Sequence, residues 1–123
     1  MSRDEAVVLD IAQAARLILE FKHGMDKTAF LDDIKTQSAI LHQLMVMGEA
    51  VKRLSQDFRN HHPAIPWTLI VGMRDKLIHG YDIIDLDEVW KTADTNVPDL
   101  LSLLAPLLPK QNKENQVSGS RTS

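Results

Sequence analysis

The feature that most constrains the fold is a long stretch of apolar residues at helical spacing, from about residue 33 to residue 59. Its apolar positions are Ile34, Ile40, Leu41, Leu44, Met47, Gly48, Val51, Leu54 and Phe58. Such a broad arc predicts one central helix with neighbouring helices on more than one side. Gly48 lies inside the arc, where glycine lowers helix propensity by about 1 kcal/mol, so we expect another helix to cross closely at this point.

Shorter periodic segments surround the central helix. Ser2 and Glu5 form a capping-box pattern before a helix that runs to about Lys22, and a short segment with Thr28 as its expected cap follows. After the central helix, Pro63 and Pro66 predict an extended link, because proline disfavours helical conformation in the residue before it.

Two further helices are predicted in the second half of the chain. One runs from Trp67 to about Ile78. The other is capped by Asp85 or Asp87 and should be kinked at Pro98. With no strand pattern in between, we predict an all-α chain: an up-and-down bundle of about four to five helices.

The bundle is expected to form one domain over residues 1–108, followed by a disordered tail over residues 109–123 that lacks periodic apolar residues. The chain has no cysteine, which excludes disulfides and predicts a reducing, cytoplasmic environment. No apolar run approaches the roughly 18 residues of a membrane span, so no membrane partner is expected.

The charge of the chain limits its nucleic-acid partners. A formal net charge of −3 argues against a broad basic face of the kind that binds DNA, and no DNA partner is expected. Any contact with nucleic acid would have to use a local cationic cleft.

Arg74 and His79 suggest such a cleft. Arg74 falls within an apolar stripe of its helix, where a guanidinium is costly unless it is paired or faces a polar cleft. His79 follows five positions later and can exchange protons near neutral pH. Five positions correspond to roughly 140° of rotation, so one straight helix cannot aim both side chains at one point. Gly80, expected in a left-handed helix stop, could free His79, or two motifs could face each other across a dimer axis.

Three landmarks make the sequence resemble a known family. They are Gly48-Glu49-Ala50 followed by Arg53-Leu54; Pro63-Ala64-Ile65-Pro66-Trp67; and Arg74-Asp75-Lys76-Leu77-Ile78-His79-Gly80-Tyr81 followed by Asp85 and Val89-Trp90. In their order and spacing, from about residue 4 to 105, the chain resembles the HepT-like family of the HEPN superfamily, the toxin half of a prokaryotic toxin–antitoxin pair.

The resemblance implies a homodimeric helical bundle with the motifs in a cleft at the dimer interface. It implies metal-independent endonucleolytic cleavage of RNA without a cofactor, with Arg74 and His79 as the catalytic pair. It also implies a partner, an MntA-like minimal nucleotidyltransferase, which neutralises the toxin in a type VII-like system by transferring AMP to Tyr81. Glu49 and Asp75 are expected to support the pair.

The chemistry of these residue types agrees with the implied activity. RNA carries its own nucleophile, the 2′-hydroxyl, so His79 could act as base or acid while Arg74 stabilises charge on the phosphate. AMP on Tyr81 would add bulk and negative charge where an RNA phosphate must lie.

Other readings of these residues stay open. Arg74 could form a structural ion pair with Glu49, and the chain would then be a non-catalytic module that binds a nucleotidyltransferase or a nucleotide. His61-His62 precede a proline without a convincing third ligand, so no metal site is expected there. Helix capping explains the acidic residues Asp82, Asp85, Asp87 and Glu88 more simply than a cation site.

Overall fold

The computed structural model describes residues 2–109, and the described part is helical without a strand. The helices are α1 (Arg3–Lys22), α2 (Lys27–Leu31), α3 (Ile34–Lys52), α4 (Gln56–His61), α5 (Trp67–His79), α6 (Leu86–Lys91) and α7 (Val97–Leu104). A π-helical turn, Thr92–Asn96, joins α6 to α7 without interruption. The predicted all-α bundle is therefore confirmed. Of the predicted tail, residues 110–123 lie outside the described residues.

The bundle is built as a series of packed helices. Central helix α3 packs mainly against α1 and α5, and α7 packs against α1. Largest among the fully buried side chains are Phe30, Ile11, Ile18, Ile40 and Leu104. The broad apolar arc of α3 is thus covered by two neighbours, as its width predicted.

One side of the bundle contains an open groove. Helix α5 packs mainly on α3. A groove of about 670 Å³ separates it from the α6–α7 rod, which is the continuous helical segment formed by α6, the π turn and α7. The groove walls are largely apolar and include Leu44, Met47, Met73 and Leu100. No helix within residues 2–109 is long and apolar enough to cross a membrane.

Of the three predicted N-terminal caps, those of α1 and α6 are present and that of α2 is not. The Ser2 hydroxyl accepts from the Glu5 amide, and the Glu5 carboxylate accepts from the Ser2 amide at 2.8 Å, so the predicted capping box is present. The expected cap Thr28 was wrong. Asp26 caps α2 by accepting from the Ala29 amide, because it stands immediately before the first helical residue.

The long central helix is shorter than predicted, since it ends at Lys52 rather than near Arg59. Ser55 interrupts it by capping α4, accepting from the Phe58 amide at 3.1 Å. Asp4 of α1 holds this break by accepting from the Ser55 amide at 2.9 Å and hydroxyl at 2.8 Å. The apolar periodicity continues across the break because Leu54 and Phe58 still face the core, which concealed the interruption.

The α6–α7 rod begins at Asp85 and is irregular just before Pro98, two residues that the sequence analysis singled out. Asp85 caps α6 by accepting from the Asp87 and Glu88 amides. The irregularity expected at Pro98 takes the form of the preceding π turn, in which the Val97 amide donates to the Thr92 carbonyl. Proline removes a backbone donor and crowds the carbonyl four residues earlier, and the wider π turn accommodates this.

Candidate active site

The site is built around a close crossing of α3 and α5. Gly48 of α3 is buried directly against Arg74 of α5. A Cβ atom placed on Gly48 would come 2.7 Å from Arg74 Cγ and 3.3 Å from the Ile70 carbonyl oxygen. The predicted close crossing at Gly48 is therefore confirmed, and the atoms that fill the space are those of the Arg74 stem.

Two carboxylates hold the other end of the Arg74 side chain. Nη2 donates to Glu49 Oε1 at 2.7 Å, and Nη1 donates to Asp75 Oδ1 at 2.8 Å. The Arg74 side chain is 17% exposed, while both carboxylates are about half exposed. Arg74 Nε is buried and has no partner in the part of the chain that the structure describes. Glu49 is the partner that the sequence suggested.

The pairing shifts the protonation equilibria of both partners. The hydrogen bond to Asp75, followed by the charge of Glu49, raises the pKa of Arg74 above its ordinary value, against the opposing effect of burial. The same hydrogen bond from Arg74 lowers the pKa of Asp75, with smaller contributions from Lys52 and His79. The guanidinium thus stays charged and fixed in direction.

His79 lies at the end of α5, in a different setting from Arg74. It is exposed, and its ring makes no hydrogen bond to any residue within 2–109. It lies on the rim of a pocket of about 440 Å³, whose lining also includes Lys76, Gly80, Ile83 and Glu88. Lys76 Nζ donates to Glu88 Oε1 at 3.1 Å across this pocket.

Gly80 ends α5 without the left-handed conformation that was expected. Its φ is −139° and its amide donates to the Lys76 carbonyl, so the prediction of a left-handed stop was wrong. The chain turns instead through a short 3₁₀ helix, Tyr81–Ile83, in which the Ile83 amide donates to the Gly80 carbonyl. Ile83 folds back over Gly80, where an added Cβ would lie 3.3 Å from its Cγ1.

Tyr81 points away from the packed core at the start of this turn. The residue is 52% exposed, and Ile83 beside it is 82% exposed. Its phenol makes no hydrogen bond within the described residues. About half of the surface of the residue is therefore open to solvent.

Within one chain, the structure joins some of the predicted site residues and separates others. It brings Arg74, Glu49 and Asp75 together, and Asp75 lies one helical turn before His79. No hydrogen bond joins Arg74 to His79 among the described residues. Asp75 and Glu49 are the two residues expected from the resemblance to support the pair, but nothing in the sequence indicated that Gly48 receives the Arg74 stem.

The residues considered as metal ligands serve other roles. Asp85 caps α6, Asp87 pairs with Lys27 at 3.0 Å, and Glu88 pairs with Lys76. The His61 ring lies 2.7 Å from the Asp57 carbonyl oxygen. Within residues 2–109 no group of three or more His, Asp or Glu side chains is arranged to hold a metal ion.

Comparisons with known proteins give a consistent result. The family model described as "Ribonuclease HepT-like" matches residues 11–107. A "Probable ribonuclease HepT" of Thermococcus cleftensis is 45% identical over 91 residues, covering 74% of this chain and 83% of the relative. A "Putative RNase" of Methanocaldococcus jannaschii is 35% identical over 113 residues, covering 92% of this chain and 93% of the relative. No solved structure matches the chain significantly.

Proposed function

Because the chain belongs to the ribonuclease HepT-like family, we propose that it is an RNA endonuclease that needs no metal ion and serves as the toxin of a toxin–antitoxin pair. The observation that carries the proposal is the Arg74 guanidinium, fixed by Glu49 and Asp75, five positions before an exposed His79 on the same helix. Phosphodiester cleavage by an internal nucleophile requires both a fixed cation and a proton-transfer group.

The chemistry proceeds through the 2′-hydroxyl of RNA. A histidine takes the 2′-hydroxyl proton while the oxygen attacks phosphorus, and the bond from phosphorus to the 5′-oxygen breaks. The leaving oxygen takes a proton from an acid, and the products are a 2′,3′-cyclic phosphate and a 5′-hydroxyl. Arg74 offsets the negative charge that builds on the phosphate oxygens.

A homodimer supplies the second proton-transfer group. Arg74 and His79 diverge by roughly 140° on one helix, so two copies of the motif facing each other would bring Arg74 of one copy to His79 of the other. Exposed apolar side chains next to the motif support this arrangement: Ile78 is 45% exposed and Ile83 is 82% exposed. The apolar arc of α3 is covered within the chain by α1 and α5.

Tyr81 is the proposed site of control. A partner nucleotidyltransferase of the MntA type would transfer AMP to the hydroxyl of this half-exposed residue, which lies at the start of the 3₁₀ turn. The added phosphate would repel the RNA backbone from the adjacent His79.

One observation favours a second function. Both terminal nitrogens of Arg74 are already bonded to carboxylates, as in a structural ion pair, and this fits a non-catalytic module that binds a nucleotidyltransferase or a nucleotide. A single assay distinguishes the two functions. Purified protein is incubated with RNA in EDTA beside the Arg74→Ala variant.

The endonuclease proposal expects cleavage by the wild type that EDTA does not stop, cyclic phosphate ends, and a cleavage rate of the variant that is lower by roughly 10²-fold to 10³-fold. Cleavage that EDTA stops, or products with 3′-hydroxyl ends, contradicts the proposed chemistry. Absence of cleavage by a folded wild type supports the non-catalytic module instead.

A further inference from the structure

We propose that Gly48 and Glu49, consecutive residues of α3, act together as positioning residues for the Arg74 guanidinium: Gly48 leaves room for the stem and Glu49 holds the head. The inference rests on the proposed role of Arg74 in RNA cleavage. It assigns a task in the reaction to a residue that has no side chain.

Backbone conformation does not explain a glycine at position 48. Gly48 lies inside the helix α3 and its φ is not positive; in the described residues a positive φ occurs at Gly24. Glycine in a helix interior is unfavourable relative to alanine. The space around Gly48 is what requires it, because a Cβ would overlap the Cβ and Cγ atoms of Arg74.

Two consecutive residues of α3 contact the two ends of the Arg74 side chain. Glu49 follows Gly48 directly and accepts from Arg74 Nη2 at 2.7 Å, while the stem lies across Gly48. Nε makes no bond within the described residues, so the direction of the head depends on its Nη contacts. A side chain at position 48 would push the stem outward and move the guanidinium relative to the phosphate.

Gly72 offers a matched control. It is also a glycine inside a helix, and a Cβ added there would meet nothing within 4 Å. Gly72→Ala therefore makes the same chemical change without displacing Arg74. Misplacement of a catalytic group by about 1 Å can cost on the order of 10² in rate, so we expect Gly48→Ala to lower kcat by roughly 10-fold to 100-fold with a smaller change in KM.

A double-mutant cycle separates positioning from general damage to the fold. In the Arg74→Ala background, the substitution Gly48→Ala should lower kcat much less than in the wild type, because the guanidinium that it displaces is gone and only the Cβ overlap at position 74 remains. An unchanged kcat in Gly48→Ala, or an equal loss of kcat with and without Arg74, overturns the inference.

A second readout does not depend on activity. The bond from Arg74 is the largest cause of the lowered Asp75 pKa. NMR titration of the Asp75 carboxyl should show its pKa moving back toward the ordinary value of 3.8 in Gly48→Ala but not in Gly72→Ala. An Asp75 titration unchanged in Gly48→Ala refutes the positioning even if the wild type cleaves no RNA, and in that case the proposed function fails separately.

Circular dichroism shows whether Gly48→Ala folds. If it does not, Glu49→Gln tests the other half of the device, because this half-exposed side chain keeps its shape and loses its charge. A fall in kcat that disappears in the Arg74→Ala background supports the inference, and wild-type kcat in Glu49→Gln overturns it.

Discussion

Arg74 Nη2 on α5 donates to Glu49 Oε1 on α3 across 2.7 Å, between residues 25 positions apart in the chain. The bond lies beside the crossing at which Gly48 receives the Arg74 stem. The helix that carries the proposed catalytic pair is therefore aligned on the central helix by contacts of Arg74 itself, and the side chain proposed for catalysis also determines how the two helices meet.

His79 should be required for RNA cleavage. His79→Ala removes the proton-transfer group, and such a loss typically lowers the rate by a factor of about 10²–10⁴. The fold should persist because the side chain is exposed. His61→Ala, which removes an exposed histidine from α4, is the matched control and should cleave RNA at the wild-type rate. Comparable rates for the two variants would exclude His79 from the reaction.

Tyr81 should be the AMP acceptor. Tyr81→Phe loses only the hydroxyl, so it should stay toxic and escape modification after co-expression with the nucleotidyltransferase. If the hydroxyl also contacts RNA, the activation free energy of cleavage should rise by about 0.5–1.5 kcal/mol, as for one lost hydrogen bond. Tyr81 is the only tyrosine in the sequence, so mass spectrometry can assign the adduct by its peptide. AMP found on a serine or threonine alone would contradict the assignment.

The active form should be a symmetric dimer in which the two motifs face each other. Light scattering of the wild type at tens of micromolar should give twice the mass of the chain, and Ile83→Asp should reduce it by placing a charge in the interface. Ile34→Asp is a control at a residue of similar exposure, 76% against 82%, at the start of α3. A fully active monomer would remove the argument.

Acid should destabilise the contact between Asp4 and Ser55. Bonds from the Ser55 amide and hydroxyl lower the pKa of Asp4 below its ordinary 3.8 in the folded chain. The stability that this carboxylate contributes is complete above the ordinary pKa and is lost as the pH falls through the lower folded value. Denaturant midpoints measured between about pH 5 and pH 2 should therefore fall less steeply in Asp4→Asn than in the wild type. Denaturant midpoints that fall equally with pH in both proteins would show that the contact between Asp4 and Ser55 is weak in solution.

Local signals in the sequence predicted much of the fold. Ser2 with Glu5, Asp85 and the proline pair before Trp67 each act within a few residues, so their effect on helix ends can be derived without tertiary information. The break at Ser55 could not be found in this way. It depends on Asp4, 51 positions away, and the apolar pattern continues through it.

The pairing of Arg74 could be predicted because it follows from the chemistry of the residue type alone. A guanidinium within an apolar stripe requires a partner, and this singled out Arg74 and suggested Glu49. The geometry of Gly80 was not predictable, because Ile83 folds over it and the 3₁₀ turn, rather than a left-handed residue, ends the helix. The Gly48 contact also depends on how α3 and α5 cross, which becomes visible only in three dimensions.

The open side of the bundle has a consequence for motion. Helix α1 packs against both α3 and α7, whereas α5 packs mainly on α3. An element with neighbours on one side opens locally at a lower free energy than one enclosed on both sides. Amide hydrogens of α5 should therefore exchange with solvent faster than those of α1, and any molecule that bridges the groove between α5 and the α6–α7 rod should slow exchange in α5 selectively.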